Sequence, residues 1–280
     1  MILLVVVSPP ARLAAFAVLL VCASAGAGEV RVNPDRPHVT DSPDAVPRGL
    51  AELDSGVTFV RDASGDHPLR RFTTQSLLRV GVFENLEVRI DSTLLVRERS
   101  EGQGSSGLGD TKVGVKWHLV DDEGWRPALA LQPFVKLPTA SRSKGLGSGR
   151  ADFGVFLLAG KDLPGDLEVE MNFGLAGIAL AEAPGGLFLQ RTATASLTWA
   201  LRDRIFPFLE IFYESRDRPG GRHSVGTQFG VSFLLHRRVM VDVAAQFPVA
   251  GASPDWAFRS GLSLLLGPLP EGGISSSGRP

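Results

Sequence analysis

The strongest constraint on this chain is an alternation of apolar and polar side chains that recurs along most of its length. In residues 238–249 one face carries Val239, Val241, Val243, Ala245, Phe247 and Val249, while the other carries Met240, Asp242, Ala244 and Gln246. A period of two puts successive side chains on opposite faces of a strand, where a helix would need a period near 3.6. The same pattern sets Leu167, Val169, Met171, Phe173 and Leu175 against Glu168, Glu170 and Asn172, and sets Val113, Val115 and Trp117 against Lys112, Gly114 and Lys116. No segment beyond the first 28 residues has a persuasive helical period, so the chain reads as all-β.

Composition then becomes informative. Of 280 residues 44% are hydrophobic, yet no uncharged run beyond Gly28 reaches the ~18–20 residues that a membrane-spanning helix needs. The N-terminus nevertheless carries an export signal: Arg12, an apolar run to Cys22, and small residues at 23–27 that suit signal peptidase. Residues 1–27 are therefore read as a signal peptide. A lipoprotein signal ending at Cys22 is the alternative, and Val21 directly before the cysteine fits it poorly. With one cysteine in the chain, a disulfide framework and a cysteine-ligated metal site are both excluded. The 29 basic and 30 acidic side chains leave no electrostatic footprint for nucleic acid.

An exported, apolar, all-β chain can be a soluble sandwich or a membrane barrel. Marking the alternation gives about twelve strands, near residues 50–61, 69–83, 85–98, 108–121, 124–138, 149–162, 166–178, 187–201, 204–215, 223–236, 238–249 and 255–267. Strands of about ten to fifteen residues exceed the ~5–6 usual in soluble sheets and match the span of a tilted strand in a bilayer. Short charged connections, such as 84–85 and 202–204, alternate with longer ones, such as 99–107, 139–148 and 215–222. An even strand count with alternating short and long connections is the pattern of a single-chain outer-membrane barrel with both termini in the periplasm. The expected fold is thus a closed antiparallel up-and-down transmembrane β-barrel over residues 50–267, after an extended periplasmic lead at 28–49 and before a flexible tail at 268–280. Entry of the lead into the lumen as a small plug is the alternative placement. Trp125, Trp256 and several phenylalanines near strand ends would form the aromatic girdles; a single tyrosine, Tyr213, is few for that role.

In such a barrel the lumen face would carry Arg79, Glu87, Arg89, Asp91, Lys112, Lys116, Lys136, Asp152, Glu168, Glu170, Glu210, Asp242 and Arg259. Charges of both signs in a confined interior are costly unless paired, so they read first as ladders that neutralise one another, and second as a selective constriction. Twelve strands lie between the ~8 whose interior side chains fill and the 16–18 that leave an aqueous channel, which implies a narrow or plugged lumen. Pro133 and Pro138 in the fifth strand and Pro207 in the ninth remove ladder donors and mark either a bulge or a lateral opening toward lipid.

Several short motifs, in order, resemble a known family: residues 36–43 (Arg-Pro-His-Val-Thr-Asp-Ser-Pro), 52–56 (Glu-Leu-Asp-Ser-Gly), 78–81, 107–111 (Gly-Leu-Gly-Asp-Thr), 135–139 (Val-Lys-Leu-Pro-Thr) and 147–149. They are similar to those of the phenol-degradation (meta-cleavage pathway) outer-membrane transporters over about residues 36–267. The resemblance implies an outer-membrane barrel that assists uptake of small, often aromatic or apolar compounds. Its last strand departs from the usual pattern, ending in Leu-Leu-Leu-Gly at 264–267 without a terminal aromatic.

The expected function is passive passage of such solutes across the bacterial outer membrane, with outer-membrane lipid, a small-molecule solute and the barrel-assembly machinery as partners and no cofactor. The alternatives are a structural or adhesive barrel with a closed lumen, a barrel lipid hydrolase, or a soluble periplasmic β-sandwich. The hydrolase lacks support: His223 and Ser224 are adjacent on a strand and point to opposite faces, and there is no nucleophile elbow, His-Glu-x-x-His or phosphate loop.

Overall fold

The computed structural model describes residues 30–63, 68–100, 102–180, 186–216 and 219–268. The expected signal peptide, the tail beyond 268 and His67 lie outside the described residues. Thirteen strands are present among these: β1 (Ala51–Asp62), β2 (Leu69–Phe83), β3 (Leu86–Ser100), β4 (Gln103–Gly107), β5 (Thr111–Val120), β6 (Ala128–Leu137), β7 (Asp152–Leu163), β8 (Leu167–Ala179), β9 (Leu187–Trp199), β10 (Ile205–Glu214), β11 (Ser224–His236), β12 (Val239–Gly251) and β13 (Trp256–Leu266). Every neighbouring pair is antiparallel, and β13 pairs with β1 from Ala51↔Leu266 to Arg61↔Trp256, which closes the sheet on itself. Closure removes both edges, the condition a sheet must meet inside lipid.

β4 and β5 form one stave. β5 pairs with the lower half of β3 (Leu86↔Trp117 to Ser92↔Thr111), and β4 pairs with the upper half (Val96↔Gly107 to Ser100↔Gln103). The barrel therefore has twelve staves. Residues 103–107 were expected to be loop; Gln-Gly-Ser-Ser-Gly has no apolar face to betray a strand, and it is held by the backbone ladder to β3 and by Lys144 Nζ, which donates to the Ser106 carbonyl (2.9 Å).

The distribution of side chains is inverted relative to a soluble protein. Among the largest fully buried side chains are Arg79, Lys116, Glu87, Glu52 and Glu210, at most 2% exposed, while Phe173, Leu209, Ile211, Phe229 and Leu94 are more than half or close to half exposed. Exposed apolar side chains follow the outward positions of each strand, so the outer surface is an apolar belt of the kind that faces hydrocarbon. No described helix is long and apolar enough to cross a membrane. Trp117 and Trp199 sit on the outward face near the short-turn end, and Phe59, Phe247, Tyr213 and Trp256 near the opposite end. Phenylalanine fills most of the girdle that tyrosine usually supplies. Tight turns include Arg202 and Asp203, both at positive φ (51° and 55°), between β9 and β10.

Two prolines sit where the ladder fails. β5 and β6 pair from Thr111↔Leu137 to Gly114↔Phe134 and again from Trp117↔Leu131, skipping Val115 and Lys116 opposite Pro133 and Gln132. Pro207 pairs with Val231 on β11, but the β9–β10 ladder begins only at Phe208↔Thr198. Pro138 was expected inside the fifth strand. β6 ends at Leu137, and Pro138 opens the 138–151 connection because it has no N–H to continue the ladder.

Candidate functional site

The residues that precede β1 are placed inside the barrel instead of below it. Val32, Asp35, Thr40, Ser42 and Val46 are all buried, and the contacts of this segment run to lumen-facing side chains far away in sequence. Alternation on β1–β5 aims Glu52, Asp54, Arg79, Glu87, Arg89 and Lys116 inward, and the segment supplies the partners that this wall lacks. Asp35 accepts from Arg89 Nη1 (2.5 Å) and Lys116 Nζ (3.1 Å), with Arg79 Nε at 3.6 Å. Arg79 grips Glu87 with two nitrogens (2.9 and 3.0 Å) and donates to the carbonyls of Asn33 (2.8 Å) and Asp44 (3.1 Å). Glu87 and Glu52 accept from the backbone N–H groups of Val46 (2.7 Å) and Asn33 (3.0 Å). Burial alone would raise the Asp35 carboxyl, but Arg79, Lys116 and Arg89 outweigh it and hold the group well below the usual carboxylate range.

The far wall fastens the other end of the segment. Glu210 on β10 accepts from the N–H groups of Val39 (2.9 Å) and Thr40 (3.1 Å), and Gln228 on β11 donates to the Pro37 carbonyl (2.8 Å) and to Glu210 (2.6 Å). Arg36 meets Asp242 at 3.3 Å. Its guanidinium occupies the space over Gly56 and Gly261, register partners on β1 and β13 where an added Cβ would lie 2.1 and 2.3 Å from it. These glycines are thus a slot for an arginine. A small apolar cluster of Val32, Val46, Leu50, Met240 and Leu265 completes the lower seal.

Above this floor an open cavity of about 620 Å³ is lined by Arg89, Asp91, Lys112, Lys136 and Asp152 and, beside the last two on β6 and β7 and on β8, by Phe134, Phe156 and Ile178, with residues 35–41 as its base. Phe134 and Phe156 stack with centroids 5.8 Å apart, over the glycines of β5, β7 and β8. On β10, Phe208 meets the His38 ring with centroids 3.9 Å apart. At the upper end Lys136 bridges Asp110 (2.9 Å) and Asp152 (2.7 Å), Ala140 donates its N–H to Asp110 (3.0 Å), and Thr139 Oγ1 donates to the Gly109 carbonyl (3.0 Å). The Gly-Leu-Gly-Asp, Lys-Leu-Pro-Thr and Gly-Ser-Gly motifs therefore meet in one latch beside the end of β6.

Of the residues expected in the lumen, Arg79, Glu87, Arg89, Lys116, Asp152, Glu170, Glu210 and Asp242 are buried; Asp91, Lys136, Glu168 and Arg259 are half-buried, and Lys112 is exposed toward the cavity. They do not form strand-to-strand ladders alone: Arg89 and Lys116 are completed by Asp35, and Asp242 by Arg36. Sequence reasoning missed Glu52, Asp54, Gln132, Gln228 and the aromatic wall. The alternation of Glu52 and Asp54 around Leu53 could have found the first two. Among the described residues no group of acidic, histidine or cysteine side chains has the geometry of a metal site.

Solved structures with similar folds are outer-membrane barrels. An outer membrane channel from Pseudomonas putida F1 aligns with a TM-score of 0.66 at 11% identity, covering 84% of this chain and all of that one. The NanC porin aligns at 0.53 and 10% identity over 75% of this chain and 98% of its own, and the KdgM porin in complex with disordered oligogalacturonate at 0.51 and 9% over 76% and 98%. None of the curated proteins matches the chain. Fold and lipid-facing belt together place the protein in the bacterial outer membrane. A family model described as "Putative MetA-pathway of phenol degradation" matches residues 34–266, and the chain belongs to that family.

Proposed function

We propose that the protein is a non-enzymatic outer-membrane channel for passive entry of small solutes with an aromatic or apolar body and at most one polar group. The observation that carries this reading is the cavity of about 620 Å³, which joins a charged wall to a stacked pair of phenylalanines and is floored by residues 35–41. An aromatic ring can lie against Phe134 and Phe156 while a carboxylate or hydroxyl faces Lys112, Lys136 or Arg89. Family membership supports the same class of solute. A sugar-sized polar solute gains nothing from the phenylalanine side and meets the segment that blocks the way down.

The exit we favour is sideways. Phe134 lies on β6, and the β5–β6 ladder fails one residue away at Pro133. A gap in backbone pairing there, beside Lys116, gives an apolar solute a route from cavity to hydrocarbon that leaves Asp35 on Arg79 and Arg89. Proteoliposomes loaded with the protein should take up benzoate-sized aromatic solutes faster than sugars of equal mass, and Phe134→Ala with Phe156→Ala should remove that preference. No permeation of any solute would sink the reading and favour a purely structural barrel. Pro133→Ala, which lets a donor return to the ladder, should slow the aromatic solute selectively. We infer further that β13, whose whole length pairs with β1, is the strand presented to the barrel-assembly machinery.

A further inference from the structure

The outward face of the barrel is largely apolar, with single polar positions such as Arg191 on β9, and its one row of facing arginines lies on β1–β3. At the long-loop end, Arg61 on β1 stands opposite Arg70 on β2, which stands opposite Arg99 on β3. Arg97 lies two residues away on the same face of β3, opposite Phe72. The parity is fixed by the buried positions: Glu52, Asp54 and Thr58 face the lumen on β1, so Arg61 faces out, and its register partners share its side. All four arginines are exposed, and among the described residues none of them makes an ion pair. Arg71, by contrast, points inward and pairs with Glu98 at 2.8 Å.

Like charges directly opposite on neighbouring strands repel, and three in a row on the lipid side of a barrel call for an anion from outside the chain. The surface just below them says what the anion is attached to. Phe59 and Phe72 pack at 4.8 Å, and Phe59, Phe247, Trp256 and Phe258 enclose an outward apolar depression of about 470 Å³. Trp256 is the register partner of Arg61, so the cationic row and the apolar seat are contiguous. A guanidinium row over an aromatic seat is complementary to a lipid with phosphate at its head and several acyl chains beneath it.

We propose that this face binds a phosphorylated, multiply acylated glycolipid of the outer leaflet, its phosphate held by Arg61, Arg70 and Arg99 and its acyl chains lying against Phe59, Phe72 and Phe258. The site lies outside the lumen and does not rest on the transport reading.

The test uses the detergent-solubilised full barrel and two probes of identical acylation, bisphosphoryl lipid A and its dephosphorylated form, measured by native mass spectrometry. The intact protein should bind the phosphorylated probe about tenfold more tightly or better. Arg61→Gln/Arg70→Gln/Arg99→Gln should reduce it to the level of the dephosphorylated probe. Arg202→Gln/Arg204→Gln at the opposite end should leave it unchanged. Equal affinity of the intact protein for both probes, equal losses in the two variants, or full displacement of the lipid by millimolar inorganic phosphate would each overturn the proposal. Should the triple variant fail to show heat-modifiable gel mobility, Arg70→Gln alone and the two-probe comparison on the intact protein still decide it.

Discussion

Asp35→Asn isolates the contact on which closure of the lumen depends. The substitution keeps the size of the side chain and an oxygen for the Ser42 N–H at 3.1 Å, but removes the charge that faces Arg89, Lys116 and Arg79 at 2.5, 3.1 and 3.6 Å. Removing one partner of a buried ion pair costs about 3–5 kcal/mol, because the remaining charges stay buried without compensation. At about 1.4 kcal/mol per factor of ten, seating of residues 30–49 should weaken by roughly a hundred- to several-thousand-fold. Asp35 belongs to no strand, so the ladders and the heat-modifiable mobility of the barrel should persist. Hydrogen exchange reads the effect directly: the N–H groups of Asn33, Val39, Thr40 and Val46, all bonded to lumen carboxylates, should lose protection together. Planar-bilayer conductance should rise in parallel. Unchanged protection of these four amides in a variant with an intact barrel would refute the argument that charge seats the segment.

Three further outcomes follow from single contacts. Burial pushes His38 down to about 4 against the favourable charge of Asp35, so the ring against Phe208 is neutral when the segment is seated. Because the released segment binds the proton more readily, seating should weaken as pH falls from about 6.5 toward 4, read as rising conductance that a His38→Phe variant no longer shows. An added Cβ at Gly174 would lie 2.4 Å from the Phe156 ring, so Gly174→Val should displace that ring and cost about 1–3 kcal/mol, measured as an earlier heat-modification midpoint with reduced aromatic uptake. Lys136→Met leaves Asp110 and Asp152 facing each other without their shared cation, and should loosen the 138–151 connection, detected as faster proteolysis at Arg142 or Lys144.

The barrel was legible because the physics of a strand with lipid on one side is a rule about every second residue. β12 can be read directly from Val239 to Val249, since each outward position must be apolar and each inward one tolerates polarity. β4 escaped because Ser105 and Ser106 carry no such contrast, and Pro138 was placed inside a strand because Leu137 before it continues the alternation. The inner segment was legible only as the alternative to a periplasmic lead, and for a different reason. Asp35, Arg36 and Asp41 look like solvated charges in a Pro-rich lead, and only the fold brings Arg89, Asp242 and Gln132 to them. Pairings between residues that far apart leave no local pattern to read.

The near balance of charge in the chain takes on a geometric meaning inside the barrel. Around Asp35 the inward cations Arg79, Arg89 and Lys116 are matched in number by Glu52, Asp54 and Glu87, so this lower part of the wall is formally neutral without the inner segment. It is not neutral locally: Glu87 is shared by all three cations, with Lys116 at 3.8 Å, and Asp35 completes both Arg89 and Lys116. A solute that moved straight down the lumen would have to displace that counter-ion, whereas one that left between β5 and β6 would pass beside Lys116 and leave Asp35 on Arg79 and Arg89. The two routes therefore separate under Asp35→Asn. Ion conductance should rise in either case, but uptake of an apolar aromatic solute should rise with it only if the solute passes the cluster. Aromatic uptake that rose in proportion to conductance would place the path through the floor and remove the reason for a lateral exit at Pro133.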